Sequence, residues 1–239
     1  MRNPKWHRDE IILALDLYFR IEPGQIHARN PEVIELSEIL NKLPIHEDRP
    51  DKLKFRNPNG VGLKLSNFLA IDPDYPGKGM EAYSKMDEQV FQEFHNNRTM
   101  LSKIAFEIKK IASDTKLGTR LSQIEDDENS ITVKEGKVIY KLHKLKERDP
   151  KISRKKKEMY YKKYGKLDCE VCSFDFFEVY GGLGKGFIEC HHRKPLNELT
   201  SETTTTLNDL ALVCSNCHRM LHRRLSTLSV NSLKDLIGQ

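Results

Sequence analysis

Two cysteine pairs in the last third of the chain restrict its fold more than any other sequence feature. Cys169 and Cys172 form one Cys-x-x-Cys pair, and Cys214 and Cys217 form a second. A turn with this spacing presents two thiolates to one ion, and two such turns complete a closed tetrahedral zinc shell. Four unrelated reduced cysteines are the alternative, but the 239 residues contain 5 cysteines and four of them fall in matched pairs. We therefore predict a structural zinc site.

Disulfide bonds between these cysteines are a weaker interpretation. The first residues do not have the pattern of a signal peptide, and the apolar run from Ile11 to Phe19 is short and interrupted by Asp16. Disulfides belong to oxidising compartments, which such a sequence gives no sign of entering. We therefore expect a soluble, cytoplasmic protein without a membrane segment.

Four histidines lie between and after the cysteine pairs. A short apolar segment ends in His191 and His192, and a second, Leu207–Cys214, leads into the second cysteine pair. The helical pattern that follows places His218 and His222 four residues apart, on one face, where both can bind the same ion. This order predicts two strands and a helix around a divalent metal. The alternative is that some of these histidines are core or zinc-site residues.

The residues around these positions resemble a known family. The motifs are Cys-Glu-Val-Cys-Ser-Phe-Asp-Phe-Phe (169–177), Tyr-Gly (180–181), Ile-Glu-Cys-His-His-Arg-Lys-Pro-Leu (188–196) and Asp-Leu-Ala-Leu-Val-Cys-Ser-Asn-Cys-His-Arg-Met-Leu-His (209–222). Over about residues 135–225 the chain resembles the HNH nucleases, and more closely the McrA-like modification-dependent restriction endonucleases. The resemblance implies a zinc-stapled ββα-metal nuclease module that hydrolyses DNA.

The resemblance also implies a role for each histidine. His192 matches the general base, and His191 matches a metal ligand. His218 and His222 match the metal-binding histidines of the helix, His218 being counted with the catalytic residues. The central asparagine of the family falls on Asp209, which accepts hydrogen bonds but does not donate them as an amide does. Asp209 is therefore a catalytic candidate whose role is open between holding the loop of the base and reaching the metal.

Phosphodiester hydrolysis explains why these residue types are needed. A histidine that titrates near neutral pH can take a proton from the attacking water. A divalent ion can neutralise charge on the phosphate and on the leaving oxygen. Imidazole ligands suit Mn²⁺, Ni²⁺, Co²⁺ or Zn²⁺ better than Mg²⁺, although Mg²⁺ can serve through water and phosphate oxygens. We expect one of these ions in the active site, Zn²⁺ in the structural site, and no small-molecule cofactor.

The length and the apolar periodicity predict an α+β protein of two domains. Residues 1–112 form a mainly helical domain, with helices expected over His7–Arg20, after Asn30, over Val61–Ala70 and over Asp87–Ala112. Residues 113–150 form a linker that is first acidic and then basic. Residues 151–239 form the nuclease domain with its four-cysteine zinc site. We interpret residues 1–112 as a recognition domain for DNA or for a DNA modification.

Basic residues are concentrated just before the nuclease module. Lys134–Lys166 contains 14 basic and 4 acidic side chains. Such a run attracts a phosphate backbone through counterion release, although it could also be an ordinary solvated helix. A glycine turn near residue 60 is a further candidate, with Lys64 beside it and with Trp6 and Tyr75 as walls of a base pocket. The candidate DNA contacts are Arg193, Lys194, Arg219, Arg154, Lys155, Lys156, Lys157, Arg56, Asn57 and Asn59.

Together these features predict a metal-dependent HNH endonuclease, with modification-dependent restriction as its expected role. Double-stranded DNA, modified or unmodified, is the expected partner. One active site cuts one strand, so a homodimer is expected. Two alternatives stay open: a zinc-stabilised DNA-binding protein without catalysis, and an HNH nickase or homing-type nuclease that acts on unmodified DNA.

Overall fold

The computed structural model describes residues 2–46, 48–80, 82–123, 138, 141, 145, 147, 149–193, 206–222 and 228–238. The chain forms two compact units, Met1–Glu125 with Gly136–Ile139, and Asp126–Glu135 with Tyr140–Gln239. Helices dominate the described residues, and a two-stranded sheet lies in the second unit, which confirms the α+β class. Part of the predicted linker, including residues 124–137, lies outside the described ranges, so the predicted domain limits stay a prediction. None of the described helices has the length and apolarity needed to cross a bilayer.

Helix α1, Arg8–Tyr18, lies at the centre of the first unit. His7 caps it, and Glu10 completes a capping box by accepting the backbone N–H of His7 at 2.7 Å. All its residues from Asp9 to Tyr18 are buried, because other helices pack around it. Those helices are α2 (Pro31–Lys42), α3 (Pro58–Leu69), α4 (Lys85–Phe94) and α5 (Arg98–Ser113). Helix α6 (Thr115–Ser122) packs against α5, and a 3₁₀ turn lies at Pro23–Gln25.

One helix prediction for this unit is wrong. The periodicity over Asp87–Ala112 predicts a single long helix, but α4 ends at Phe94 and α5 begins at Arg98. The side chain of Asn97 accepts the backbone N–H of Met100 at 3.3 Å and caps the new helix. Asparagine favours such a cap over a helix interior, because its side chain competes for backbone hydrogen bonds. Apolar periodicity continued across the break and did not reveal it.

Two buried ion pairs cross the core of the first unit. Arg56 donates from Nε to Glu10 Oε1 and from a terminal nitrogen to Oε2, both at 2.7 Å. Lys64 Nζ lies 2.8 Å from both carboxylate oxygens of Asp87. The Trp6 ring lies beside both cations, 4.6 Å from Arg56 Cζ and 5.1 Å from Lys64 Nζ. Arg56 and Lys64 thus have structural partners inside the domain, and we propose no DNA contact for either.

We expect Arg56→Met to lower the free energy of unfolding of the first unit by about 3–5 kcal/mol. Burial acts to raise the pKa of Glu10, but hydrogen bonds from His46 and Arg56 outweigh it and the pKa is lowered. Without the guanidinium, a fully buried carboxylate keeps its desolvation cost and loses its main partner. Urea unfolding followed by circular dichroism measures the change. The double variant Arg56→Met, Glu10→Gln should recover part of the loss, and equal losses in the two variants would contradict this account.

The second unit places a small sheet between helices. Asp149 caps α7 (Pro150–Tyr164) by accepting the backbone N–H of Lys151 at 2.9 Å. Strands β1 (Glu189–His192) and β2 (Leu210–Val213) are antiparallel, with His192 opposite Leu210. The other elements are α8 (Phe176–Tyr180), 3₁₀ turns at Gly181–Gly184 and Leu207–Asp209, α9 (Ser215–His222) and α10 (Val230–Leu236).

One buried apolar cluster joins the sheet to α9 and α10. Both strands contribute buried apolar residues, and all four residues of β2 are buried. Leu221 from α9 and Leu233 from α10 join the same cluster, as does Val171 between the first two cysteines. This packing holds β1 close to α9 and so brings His191 of the strand near His218 and His222 of the helix.

Candidate metal centres

The four paired cysteines lie together in the second unit. Their Sγ atoms are all within 4.8 Å of one another, and Cys172 Sγ lies 3.7 Å from Cys214 Sγ. Zinc–sulfur bonds of about 2.3 Å in a tetrahedron separate two sulfurs by about 3.8 Å. The donor set and this spacing fit a zinc ion, so the predicted grouping of the cysteines is confirmed. Cys190, the fifth cysteine, lies in β1 with its Sγ 3.3 Å from Ser153 Oγ.

A backbone N–H group makes a hydrogen bond within each of the two cysteine turns. Ser173 adopts φ 59° and donates its N–H to the carbonyl of Cys169 at 2.8 Å. The N–H of Cys217 points at Cys214 Sγ at 3.5 Å. Burial, together with the neighbouring thiols, raises the pKa of Cys217. A cation bound among these sulfurs would reverse that effect, because metal ligation favours thiolates.

Three of the four predicted histidines form a second cluster. His191 lies near the end of β1, and His218 and His222 lie four residues apart on α9. The Nε2 atoms of His218 and His222 lie 2.9 Å apart. One donor atom from each of the three histidines lies within 4.8 Å of the others and of a Glu147 oxygen. The donor set therefore fits a divalent cation.

Glu147 was not predicted as a site residue. Its Oε1 lies 2.8 Å from His191 Nδ1, and its Oε2 lies 3.1 Å from His218 Nε2 and 3.0 Å from His222 Nε2. The residue belongs to the basic run that we interpreted as a DNA-facing connector. An acidic residue in a basic run is a weak signal for a ligand, and no short motif links Glu147 to the histidines.

Glu189 sets the orientation of His218. Its Oε2 lies 2.5 Å from His218 Nδ1, and its Oε1 accepts the hydroxyl of Ser215 at 2.6 Å. Burial acts to lower the pKa of His218, but hydrogen bonds to Glu147 and Glu189 outweigh it and raise the pKa to about 9. A carboxylate behind a histidine ligand fixes its tautomer and directs the other nitrogen at the metal. Glu189 is part of the quoted Ile-Glu-Cys-His-His motif, but we did not predict this role.

His192 lies beside the cluster and is 3% exposed. Its backbone N–H donates to Glu147 Oε1 at 3.1 Å, and its Nδ1 lies 3.9 Å from the same oxygen. Glu147 thus contacts both the proposed base and the three histidines of the cluster. The role of His192 as a base stays a prediction.

Asp209 holds the start of β2. Its Oδ2 accepts the backbone N–H of Thr206 at 2.8 Å and the Thr206 hydroxyl at 2.5 Å in a capping box. Its backbone carbonyl accepts the N–H of Arg193 at 2.7 Å, which joins the two strands just beyond His192. These contacts favour the loop-holding interpretation of Asp209 over metal ligation.

The basic candidates near the nuclease site have different environments. Arg219 is exposed, as are Arg154 and Lys155 on α7, whereas Lys194 lies outside the described residues. The Arg193 guanidinium pairs with the Glu170 carboxylate.

Two lysines of α7 face the protein. Lys156 is buried, and this burial lowers its pKa. Lys157 Nζ donates to the carbonyl of Gly186 at 3.0 Å. Arg154 and Lys155 are thus better placed for DNA than the two lysines that follow them.

The predicted glycine turn near residue 60 is the first turn of helix α3, which begins at Pro58. Asn57 caps α3 by accepting the N–H of Gly60 at 2.9 Å, and Asn59 is exposed. Trp6 and Tyr75 are partly exposed. A binding role for this turn stays a prediction.

Residues 169–224 match the family model of the HNH endonucleases. The match contains both cysteine pairs and His191, His192, His218 and His222, and it supports assignment to the HNH family, whose domains use metal ions and bind DNA. Glu147 lies outside the matched segment. No curated protein and no solved structure matches the chain.

Proposed function

We propose that this protein is a metal-dependent DNA endonuclease that hydrolyses phosphodiester bonds with His192 as the general base. The observation that carries the proposal is the convergence of His191, His218 and His222 beside His192, within a segment that matches HNH endonucleases. These histidines can hold a divalent cation, and the adjacent base can activate water. A zinc ion at the four cysteines would hold the two strands and α9 in this arrangement.

Each residue of the site has a distinct task in this proposal. When bound, the cation would neutralise charge on a phosphate oxygen and on the leaving oxygen. His192 would take a proton from the attacking water, because an imidazole titrates near neutral pH. Glu147 accepts the backbone N–H of His192 and so holds the residue in position. Glu189 keeps Nε2 of His218 directed into the site.

The finer part of the proposal is modification-dependent restriction of double-stranded DNA. It depends on the resemblance of residues 135–225 to McrA-like enzymes, and it assigns recognition to the helical first unit. One active site cuts one strand, so we propose that two copies act together on DNA. Such a role would place the protein in the cytoplasm.

Plasmid cleavage tests the proposed activity. We expect the full-length protein to nick and linearise supercoiled plasmid with Mn²⁺ or Mg²⁺ and to leave it intact with EDTA. Tight DNA binding without cleavage under every metal would contradict catalysis and favour the alternative of a DNA-binding protein.

Matched substrates test the modification dependence. One duplex sequence is prepared unmodified, with 5-methylcytosine, with 5-hydroxymethylcytosine and with phosphorothioate linkages. A restriction enzyme of the proposed type should cut at least one modified duplex and spare the unmodified one. Equal cleavage of all four would contradict modification dependence and favour the nickase or homing-type alternative.

A further inference from the structure

We infer that Glu147, which lies outside the HNH-matching segment, is a fourth ligand of the active-site cation and makes the site selective for six-coordinate ions. The inference deepens the proposed function, because it concerns the cation of the same reaction. The segment that matches the family, residues 169–224, contains the three histidines of the proposed ligand set. The fold adds a carboxylate to that set from the segment before α7.

The position of Glu147 is that of a ligand rather than of a surface acid. Its side chain is 2% exposed, and its two oxygens lie 2.8–3.1 Å from ring nitrogens of His191, His218 and His222. A carboxylate costs several kcal/mol to bury without a compensating positive charge. One Glu147 oxygen and one ring nitrogen of each histidine lie within 4.8 Å of one another, so a single divalent cation bound among them would supply that charge.

The orientation of the imidazoles supports the same conclusion. The carboxylate of Glu189 accepts from Nδ1 of His218, which leaves Nε2 of that ring directed into the site. This Nε2 lies 2.9 Å from Nε2 of His222 and 3.1 Å from Glu147 Oε2. Two ring nitrogens and a carboxylate oxygen thus converge on one point, and Nδ1 of His191 lies 2.8 Å from the other oxygen of the same carboxylate. The geometry is therefore that of a cation site with one oxygen ligand and three nitrogen ligands.

Four protein ligands restrict which ions can serve. Zn²⁺ in proteins is usually tetrahedral, and its catalytic sites keep three protein ligands and one open position. A shell of Glu147 and three histidines would leave Zn²⁺ without room for a phosphate oxygen. Ions that accept octahedral coordination, such as Mn²⁺, keep two positions open, and a carboxylate ligand suits Mn²⁺ better than a purely imidazole shell does. We expect Zn²⁺ to bind this site but to support cleavage poorly.

Cation binding without DNA tests the ligand assignment directly. The full-length protein, with zinc at the cysteines, is titrated with Mn²⁺ and followed by the loss of the electron paramagnetic resonance signal of aqueous Mn²⁺. Loss of a residue that merely supports a ligand lowers metal affinity about 10- to 100-fold, so Glu147→Gln should weaken Mn²⁺ binding at least tenfold. Glu158→Gln is the matched control, because Glu158 is a 70% exposed glutamate on α7 and should bind Mn²⁺ as the wild type does.

A histidine variant separates failure of this inference from failure of the proposed function. His222→Ala should also weaken Mn²⁺ binding. If His222→Ala weakens binding and Glu147→Gln does not, Glu147 is not a ligand and the inference is wrong, while the three-histidine site stands. If neither variant changes binding, the cation site itself is wrong, and the proposed function falls with it.

The visible absorption of bound Co²⁺ provides a second readout, because its intensity depends on coordination number. Glu147→Gln should change the Co²⁺ spectrum of the protein, and an unchanged spectrum would overturn the inference. Should Glu147→Gln fail to fold, Glu147→Asp decides the question. Shortening a ligand by one methylene should alter the spectrum and weaken Mn²⁺ binding, whereas wild-type behaviour of Glu147→Asp in both measurements would count against ligation.

Discussion

His192→Ala should lower the rate of plasmid cleavage by about 100- to 10,000-fold, the usual contribution of a general base. Cation binding should stay close to that of the wild type, because His192 is not among the four residues that converge on the cation site. The rate is measured from the loss of supercoiled plasmid under saturating Mn²⁺. The cation affinity is measured separately, without DNA, so that a lost base and a lost ligand are distinguished.

An exposed histidine of the first unit is the control for this variant. His27 is exposed and belongs neither to the four-cysteine cluster nor to the cluster of Glu147 and three histidines, so His27→Ala should cleave at the wild-type rate. If His192→Ala cleaves as fast as His27→Ala, another group activates the water. Loss of cation binding in His192→Ala would instead make His192 a ligand or a structural support of the cluster.

Cys214→Ser should remove the structural zinc and unfold the second unit. Zinc binding supplies about 10–16 kcal/mol of folding free energy in small zinc domains. That is comparable with the whole stability of a typical domain, about 5–15 kcal/mol. Cys214 follows β2 directly and belongs to the core of the unit, so loss of the ion removes support from the strand and from α9. Zinc content and limited proteolysis measure the two effects.

Cys190→Ala is the matched control for the zinc site. Cys190 is also a buried cysteine of the second unit, but its Sγ contacts Ser153 and it is not in the four-cysteine cluster. We expect Cys190→Ala to keep its zinc and its resistance to protease, whereas Cys214→Ser should lose about one zinc per chain and be cut within the second unit. Wild-type zinc content in Cys214→Ser would show that the cluster does not bind zinc through this cysteine.

Local patterns predicted much of the second unit. Each cysteine pair lies within one turn, and His218 and His222 lie within one turn of α9. Distances over so few residues depend mainly on backbone geometry. Their grouping around two centres could therefore be inferred before the fold was known, as could the helix that begins after Asn30.

Residues whose role depends on distant partners were not predictable in this way. Arg56 lies at a glycine-rich turn and was interpreted as a DNA contact, but its guanidinium pairs with Glu10, 46 residues away in sequence. Asn97 is a local case: it caps the start of α5 through Met100, three residues away, although the apolar periodicity continues across the break after α4. In both cases a side-chain hydrogen bond determines the role of the residue, and the pattern of apolar residues does not predict that bond.

The sequence by itself determined the class of chemistry, which is that of metal binding by cysteines and histidines. Zinc-binding turns and a histidine pair on a helix depend only on spacings of a few residues, which can be recognised in the sequence. Only the tertiary structure decided the composition of the active site. Glu147 meets His218 across 71 residues and His222 across 75. Glu189 meets His218 across 29, through the packing of β1 against α9. Contacts over such separations depend on how the core packs, and no local spacing specifies that packing.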